Sequence, residues 1–215
     1  MRGWRLVEGR LDDEGDPRSF RCKSQSHHHL SGGGTARIIR TKQHAAARRP
    51  PQSWGSVVRW SEFSADSPDL ADAGRRSLYQ YGVGLAFLAT TRPDGSPRVH
   101  PMCPLLTDSD LFAFIVPSPK RRDLQRDGRY ALHSFAAEAN EDAFYLTGRA
   151  DLIADGDTVE TLATQFAAER KMSEPPAEIA SWELFAFDIE SGLLTRTTGH
   201  GDPSPKHTVW HAPEA

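Results

Sequence analysis

An α+β or all-β barrel is the fold class that the sequence predicts, on three observations. About six short apolar or β-branched runs are set apart by turn chemistry rich in Pro, Gly, Asp and Ser. A few helical patterns are interspersed among these runs, an arrangement that suits an antiparallel barrel better than a doubly wound parallel sheet. Neither a glycine-rich dinucleotide fingerprint nor a GxxxxGK phosphate loop occurs, so the common nucleotide folds are set aside.

The 215 residues are 38% hydrophobic with a formal net charge of −3, and the mean hydropathy is −0.56. Such values suit a soluble chain with room for one domain and a tail. No apolar run approaches the roughly 18–20 residues of a membrane span, and the amino terminus lacks the continuous apolar stretch of a secretory signal. Cys22 and Cys103 sit far apart in different segments, which predicts no disulfide framework and a reducing, cytoplasmic setting.

Charge divides the chain near Gly55. Residues 1–55 carry eleven Lys and Arg against five Asp and Glu, or +6, whereas 56–215 carry fifteen against twenty-four, or −9. The first segment holds Ser31-Gly32-Gly33-Gly34 and Arg48-Arg49-Pro50-Pro51 with no sustained apolar periodicity, so 1–55 reads as a disordered basic extension. His27-His28-His29 reads as a surface low-complexity patch, because adjacent residues on a flexible chain do not close a metal ligand set. Without interleaved aromatics, nucleic acid is not the expected partner of this segment. A start at Val57 or Val58, read from a non-ATG codon, is the expectation for the native protein, and amino-terminal sequencing from its natural host checks it.

The elements follow in order. Residues 66–81 predict a helix, with Asp66 or Ser67 as cap, Pro68 in the first turn, Arg75 and Arg76 late, and Gly82 as the stop. Its Leu70, Ala73, Ser77, Leu78 and Tyr81 fall at helical spacing, a lid for the barrel. Strands are expected at 86–91, 97–106 and 111–116, joined by Arg92-Pro93-Asp94-Gly95 and Thr107-Asp108-Ser109-Asp110 into an antiparallel meander. Ser118-Pro119 opens a helix, since Ser accepts from a free N–H and Pro at the first position has none to lose. Strands at 129–135 and 144–153 come next, and Gly148 in the second implies a close approach or a bend. A helix over 155–171 carries Val159, Leu162, Ala163, Phe166 and Ala167 on one stripe, and 182–197 is the last long strand.

Lys120, Arg121 and Arg122 are badly placed for helix stability, because cations at a helix N-terminus oppose its dipole. Two readings stand: a solvated charge run, or a phosphate site where N–H groups, dipole and cations converge.

Four segments, ATTRPDGSPRVHP (89–101), SPKRRDL (118–124), RYALHSF (129–135) and YLTGRADLIAD (145–155), carry a resemblance in their order and spacing. The chain resembles the pyridoxamine 5′-phosphate oxidase-like superfamily of flavin-binding split β-barrels over about 78–196. The resemblance implies a mainly β (α+β) split barrel of about six antiparallel strands with flanking helices over 56–200. It implies a homodimer holding two flavins at its interface, with FMN as cofactor and F420, or less often haem, as alternatives. The phosphate would meet Lys120 and Arg121, with Ser118 adding a hydroxyl, while Arg98, Val99, His100 and Pro101 would run along the ring system. His100 reads equally as a satisfied strand histidine. The implied activity is flavin-dependent oxidoreduction, by hydride transfer with a small organic substrate. No base, nucleophile or metal is required of the protein, and no catalytic residue is assigned.

Missing from this chain is the Arg-x-Arg-Trp ending of true pyridoxamine 5′-phosphate oxidases, so that particular activity does not carry over. Residues 201–215 read as a carboxy-terminal tail, and 197–211, which overlaps it, has two readings: a loosely ordered Pro/Gly terminus, or a lid or substrate contact through His200, Lys206 and Trp210. A zinc site from His200, His207 and His211 is disfavoured by their spacing and the lack of Cys or acidic co-ligands.

Overall fold

The computed structural model describes residues 55–214. Helices α1 (Trp60–Asp66) and α2 (Pro68–Leu78) precede strands β1 (Ala86–Thr91), β2 (Pro97–Met102), β3 (Leu105–Leu106) and β4 (Leu111–Ile115). Next come α3 (Pro119–Arg126), β5 (Arg129–Ser134), β6 (Ala143–Ile153), α4 (Gly156–Glu169), β7 (Glu183–Arg196) and β8 (Lys206–His211). Apart from Gly55, the extension expected over 1–55 and its histidine run lie outside the described residues.

Long strands β6 and β7 pair antiparallel along their whole length and order the rest. The sheet runs β2-β1-β5-β6-β7-β4-β3, and β8 also pairs with β7. One edge of β7 is therefore shared: β4 takes its first residues, Val58 exchanges two main-chain bonds with Ile189, and β8 covers Ser191 to Arg196.

The expected meander is corrected at its third strand. The β1–β2 hairpin forms as the turn chemistry predicts, with Thr91 opposite Pro97. The extended stretch 97–106, however, breaks at Cys103-Pro104 into β2 and β3, which lie at opposite ends of the sheet order. Proline has no N–H for a ladder, so pairing stops there while the chain stays extended. The outcome is an open sheet whose two ends are joined by the chain without a ladder between them, a split barrel. Eight strands replace the expected six, through this break and the addition of β8.

Phe144, Leu146, Gly148 and Ala150 alternate inward along β6. The register shifts between Thr147 and Gly148, and a Cβ built on Gly148 would lie 1.9 Å from the Asp188 carbonyl oxygen. Both readings of this glycine, bend and close approach, are found together. Asp188 itself carries a raised pKa, from burial first and then from the like charges of Asp151 and Asp110. A carboxyl whose pKa is higher folded than unfolded favours the native state only at low pH, and that contribution is lost as pH rises through the folded value. Asp188→Asn is thus expected to raise the melting temperature at neutral pH, with the gain shrinking near about pH 4. Melting curves of both proteins at the two pH values check it, and an equal gain at both would contradict the assignment.

The main core gathers Trp60, Phe63, Leu70 and Leu78 from the helices against Leu88, Leu132, Phe144, Phe185, Phe187 and Ile189. Helix α2 lies close to the sheet because Gly74 has no side chain to strike the Phe144 ring. Strand β4 is buried on both faces: Leu111, Ala113 and Ile115 face this core, while Phe112 and Phe114 join Leu162, Ala163 and Phe166 of α4 in a second cluster. A strand covered on both sides reads as an unbroken apolar run, as this one does.

Residues 201–215 are not a loose tail, because β8 lies within them. Its one buried side chain is Trp210, 9% exposed, which meets Phe63 edge-on and donates its indole N–H to Asp66 Oδ2 at 2.6 Å. Trp210 is therefore a core anchor, and its ring is not free to cover a ligand. Trp210→Phe should cost about 1–3 kcal/mol, since the smaller ring leaves space against Phe63 and the indole bond to Asp66 is lost. Urea unfolding of the two proteins measures the loss.

Candidate cofactor site at the β2 edge

Helix α3 begins where Ser118 turns extended and Pro119 takes the first position. The Ser118 hydroxyl donates to the Val116 carbonyl at 2.9 Å and accepts from the Arg121 N–H at 3.4 Å. No acidic residue lies in the first turn to offset Lys120, Arg121 and Arg122. The dipole and these cations therefore remain opposed in the protein itself.

Three side chains spaced by three residues fasten α3 to the β1–β2 hairpin. Lys120 Nζ donates to the Pro101 carbonyl at 2.9 Å. One turn on, Asp123 accepts from Arg98 Nε at 2.7 Å and from the Thr90 hydroxyl at 3.0 Å. After another turn, Arg126 donates to Asp123 Oδ1 at 3.2 Å and to the Thr91 carbonyl. Positions i, i+3 and i+6 lie along one helix face, which explains how one short helix holds the hairpin so closely.

Lys120 differs from its neighbours. It is half-buried, its one hydrogen-bond partner among the described residues is a main-chain carbonyl, and burial lowers its pKa with Cys103 acting in the opposite sense. An ammonium has three donors, so two remain for a ligand. Arg121 is more committed: Nη1 donates to the Ser181 carbonyl at 3.0 Å, and Nε lies 3.8 Å from Glu183 Oε2 at the start of β7.

Arg98, Val99, His100 and Pro101 lie together on β2, and strand alternation divides them between its faces. Arg98 and His100 share the face of Thr90 and Leu88, while Val99 and Pro101 share that of Ala89 and Phe87. Being last in the sheet order, β2 has no strand on its outer side among the described residues, although Lys120 takes the Pro101 carbonyl and Pro97 and Pro101 have no N–H to offer. His100 is exposed on that edge. His200 and Lys206 lie elsewhere, His200 beside the Glu138 carbonyl at 3.3 Å and Lys206 exposed opposite Arg196.

One sheet face is exposed or half-buried along a single row among the described residues. Pro101, Phe87, His133, Tyr145, Leu193 and Val209 form a continuous row across six strands. Val209, at one end, is 55% exposed, Val99, two residues before Pro101 at the other end, is 59% exposed, and Phe87 stacks on Phe135 at 4.3 Å. Two adjoining cavities of about 340 and 310 Å3 share Arg129, Tyr130 and Thr147, and neither is lined by Lys120, Arg121 or His100.

Reading the sequence passed over Asp123. Burial would raise its pKa, but hydrogen bonds from Arg98, Arg126 and Thr90 outweigh that and hold the carboxyl below the usual range. The available signal was its place one turn after Lys120 in a helix otherwise rich in cations.

No protein-family model matches the chain, and no curated protein does. Solved structures do. One aligns at 17% identity over 67% of this chain and 93% of its own, with a TM-score of 0.51. A pyridoxamine 5′-phosphate oxidase-related, FMN-binding protein from Nostoc punctiforme aligns at 17% identity over 68% of this chain and 90% of its own, TM-score 0.49. An F420 reductase aligns at 20% identity over 54% of this chain and 94% of its own, TM-score 0.45. The chain shares its fold with the first of these structures, and its own strand order is that of a split β-barrel.

Proposed function

We propose that the protein is a flavin-dependent oxidoreductase that binds FMN at the β2 edge and acts on a small organic molecule as a homodimer. The observation that carries this reading is Lys120, a half-buried ammonium at the opening turn of α3 whose one hydrogen-bond partner among the described residues is the Pro101 carbonyl. Keeping a cation partly out of water without a carboxylate is costly, and an anionic ligand relieves that cost. The donor set suits a phosphate monoester: the two Lys120 N–H groups outside its Pro101 bond, the Ser118 hydroxyl once it releases Val116, and the Arg121 guanidinium once it turns from Ser181 and Glu183. The open outer side of β2 leaves room for the edge of a planar ring. FMN, when bound, supplies the hydride chemistry. The protein's part is to hold the phosphate, present the strand edge and exclude water.

Support for a dimer comes from the row of Pro101, Phe87, His133, Tyr145, Leu193 and Val209, exposed or half-buried throughout among the described residues, which ends beside the same β2 edge. Contiguous apolar surface of this kind marks an association site.

Purified full-length protein titrated with FMN should develop the bound-flavin absorbance spectrum, and light scattering should give twice the chain mass. Saturation by F420 with no FMN binding would move the assignment to the deazaflavin, and a Soret band after haem addition would move it to haem binding. No spectral change with any of the three would end the proposal.

A further inference from the structure

We propose that Asp123 is the positioning residue of this phosphate site: its carboxylate fixes Arg98 and the first turn of α3 relative to β2, so that the cations meet the anion in one arrangement. The inference rests on the function proposed above and adds a residue to it.

Asp123 is 3% exposed, yet it touches three different parts of the site's frame. The Thr90 hydroxyl reaches it from β1, Arg98 from β2, and Arg126 from α3 itself. Each of its two carboxylate oxygens is used, Oδ2 by Thr90 and Arg98 and Oδ1 by Arg126. Arg98 holds Asp123 through Nε, which leaves its two terminal nitrogens outside that bond. A guanidinium gripped at Nε is restricted in direction, whereas a free one must be ordered by the ligand at the ligand's expense in affinity. Lys120 lies one turn before Asp123 in the same helix, so the contact that seats Asp123 also sets how far Lys120 stands from Pro101.

Charge and position make opposite demands of this residue. Coulomb attraction alone says that removing a carboxylate near a phosphate tightens binding. Positioning says that the same change weakens it, because two arginines lose their shared anchor.

The test compares FMN with riboflavin, which lacks the phosphate, by fluorescence titration of full-length wild type, Asp123→Asn and Asp123→Glu. Positioning predicts that both variants lose about tenfold or more in FMN affinity, in the range of second-sphere substitutions, with riboflavin affinity within about twofold of wild type. Asp123→Glu keeps the charge and moves it by one methylene, so it tests position even if Asp123→Asn fails to fold. Unchanged or tighter FMN binding by either folded variant overturns the proposal. Equal losses for FMN and riboflavin overturn it too, since a general weakening of the fold would act on both. Wild-type protein that binds both ligands equally well removes the phosphate site itself, and the positioning role with it.

Discussion

Replacing Lys120 and Arg121 together by alanine is expected to lower FMN affinity by at least about ten- to hundredfold, since charge-assisted hydrogen bonds contribute roughly 1.5–3 kcal/mol each. The two residues are unlike in their present commitments. Lys120 gives one bond to the Pro101 carbonyl and has no ion pair among the described residues, whereas Arg121 also braces α3 against Ser181 and Glu183. Lys120→Ala alone should therefore lose affinity with little change in melting temperature, and Arg121→Ala should lose some of both. Fluorescence titration with FMN beside thermal melts separates these effects. Undiminished affinity in the double variant would remove the site assignment and leave the fold untouched.

Gly148→Ala is expected to have the largest effect on folding. The new methyl would lie 1.9 Å from the Asp188 oxygen, 2.9 Å from its carbonyl carbon and 3.1 Å from the Glu190 nitrogen, all main-chain atoms of β7. No flexible side chain can swing aside, so the two longest strands would have to separate where the register shifts. Overpacking of this kind costs about 3 kcal/mol or more, enough to lose much of a domain's stability. Gly95→Ala gives the contrast: no atom lies within 4 Å of its Cβ, and φ is +85° in the hairpin turn. Its cost is backbone strain, about 1 kcal/mol. Soluble yield and urea midpoints rank the pair, and a Gly148→Ala protein as stable as wild type would contradict the β6–β7 register.

Local chemistry made much of this architecture readable. Arg92-Pro93-Asp94-Gly95 announced its hairpin, Ser118-Pro119 its helix, and Gly148 its crowded neighbour. Lost to the sequence was whatever depends on residues distant in the chain. Pro104 marks the break between β2 and β3, but Pro97 and Pro101 lie within β2 and stay in register with β1, so a proline by itself does not say where a strand leaves its neighbour. Helix α1 is seven residues long, too short for periodicity to stand out. Strand β8 is exposed at every position except Trp210, so it lacks the alternation by which a half-buried strand is recognised. In the candidate site the cations were conspicuous, but the carboxylate that orders Arg98 lies 25 residues further on. The division of Arg98 and His100 from Val99 and Pro101 follows from alternation alone, yet which face meets the helix depends on tertiary packing.

The shared edge of β7 also bears on how the chain is made. Its partners come from residue 58, from β4 and from β8, so this central ladder is complete only once residue 211 has left the ribosome. Until then the nascent polypeptide carries a long, partly unpaired strand, the kind of species that invites intermolecular pairing. Contacts so widely separated in sequence also imply slow assembly. Synthesis from a message that stops short of β8 should therefore yield aggregates, and chaperones that shield emerging strands should matter most until β8 has emerged.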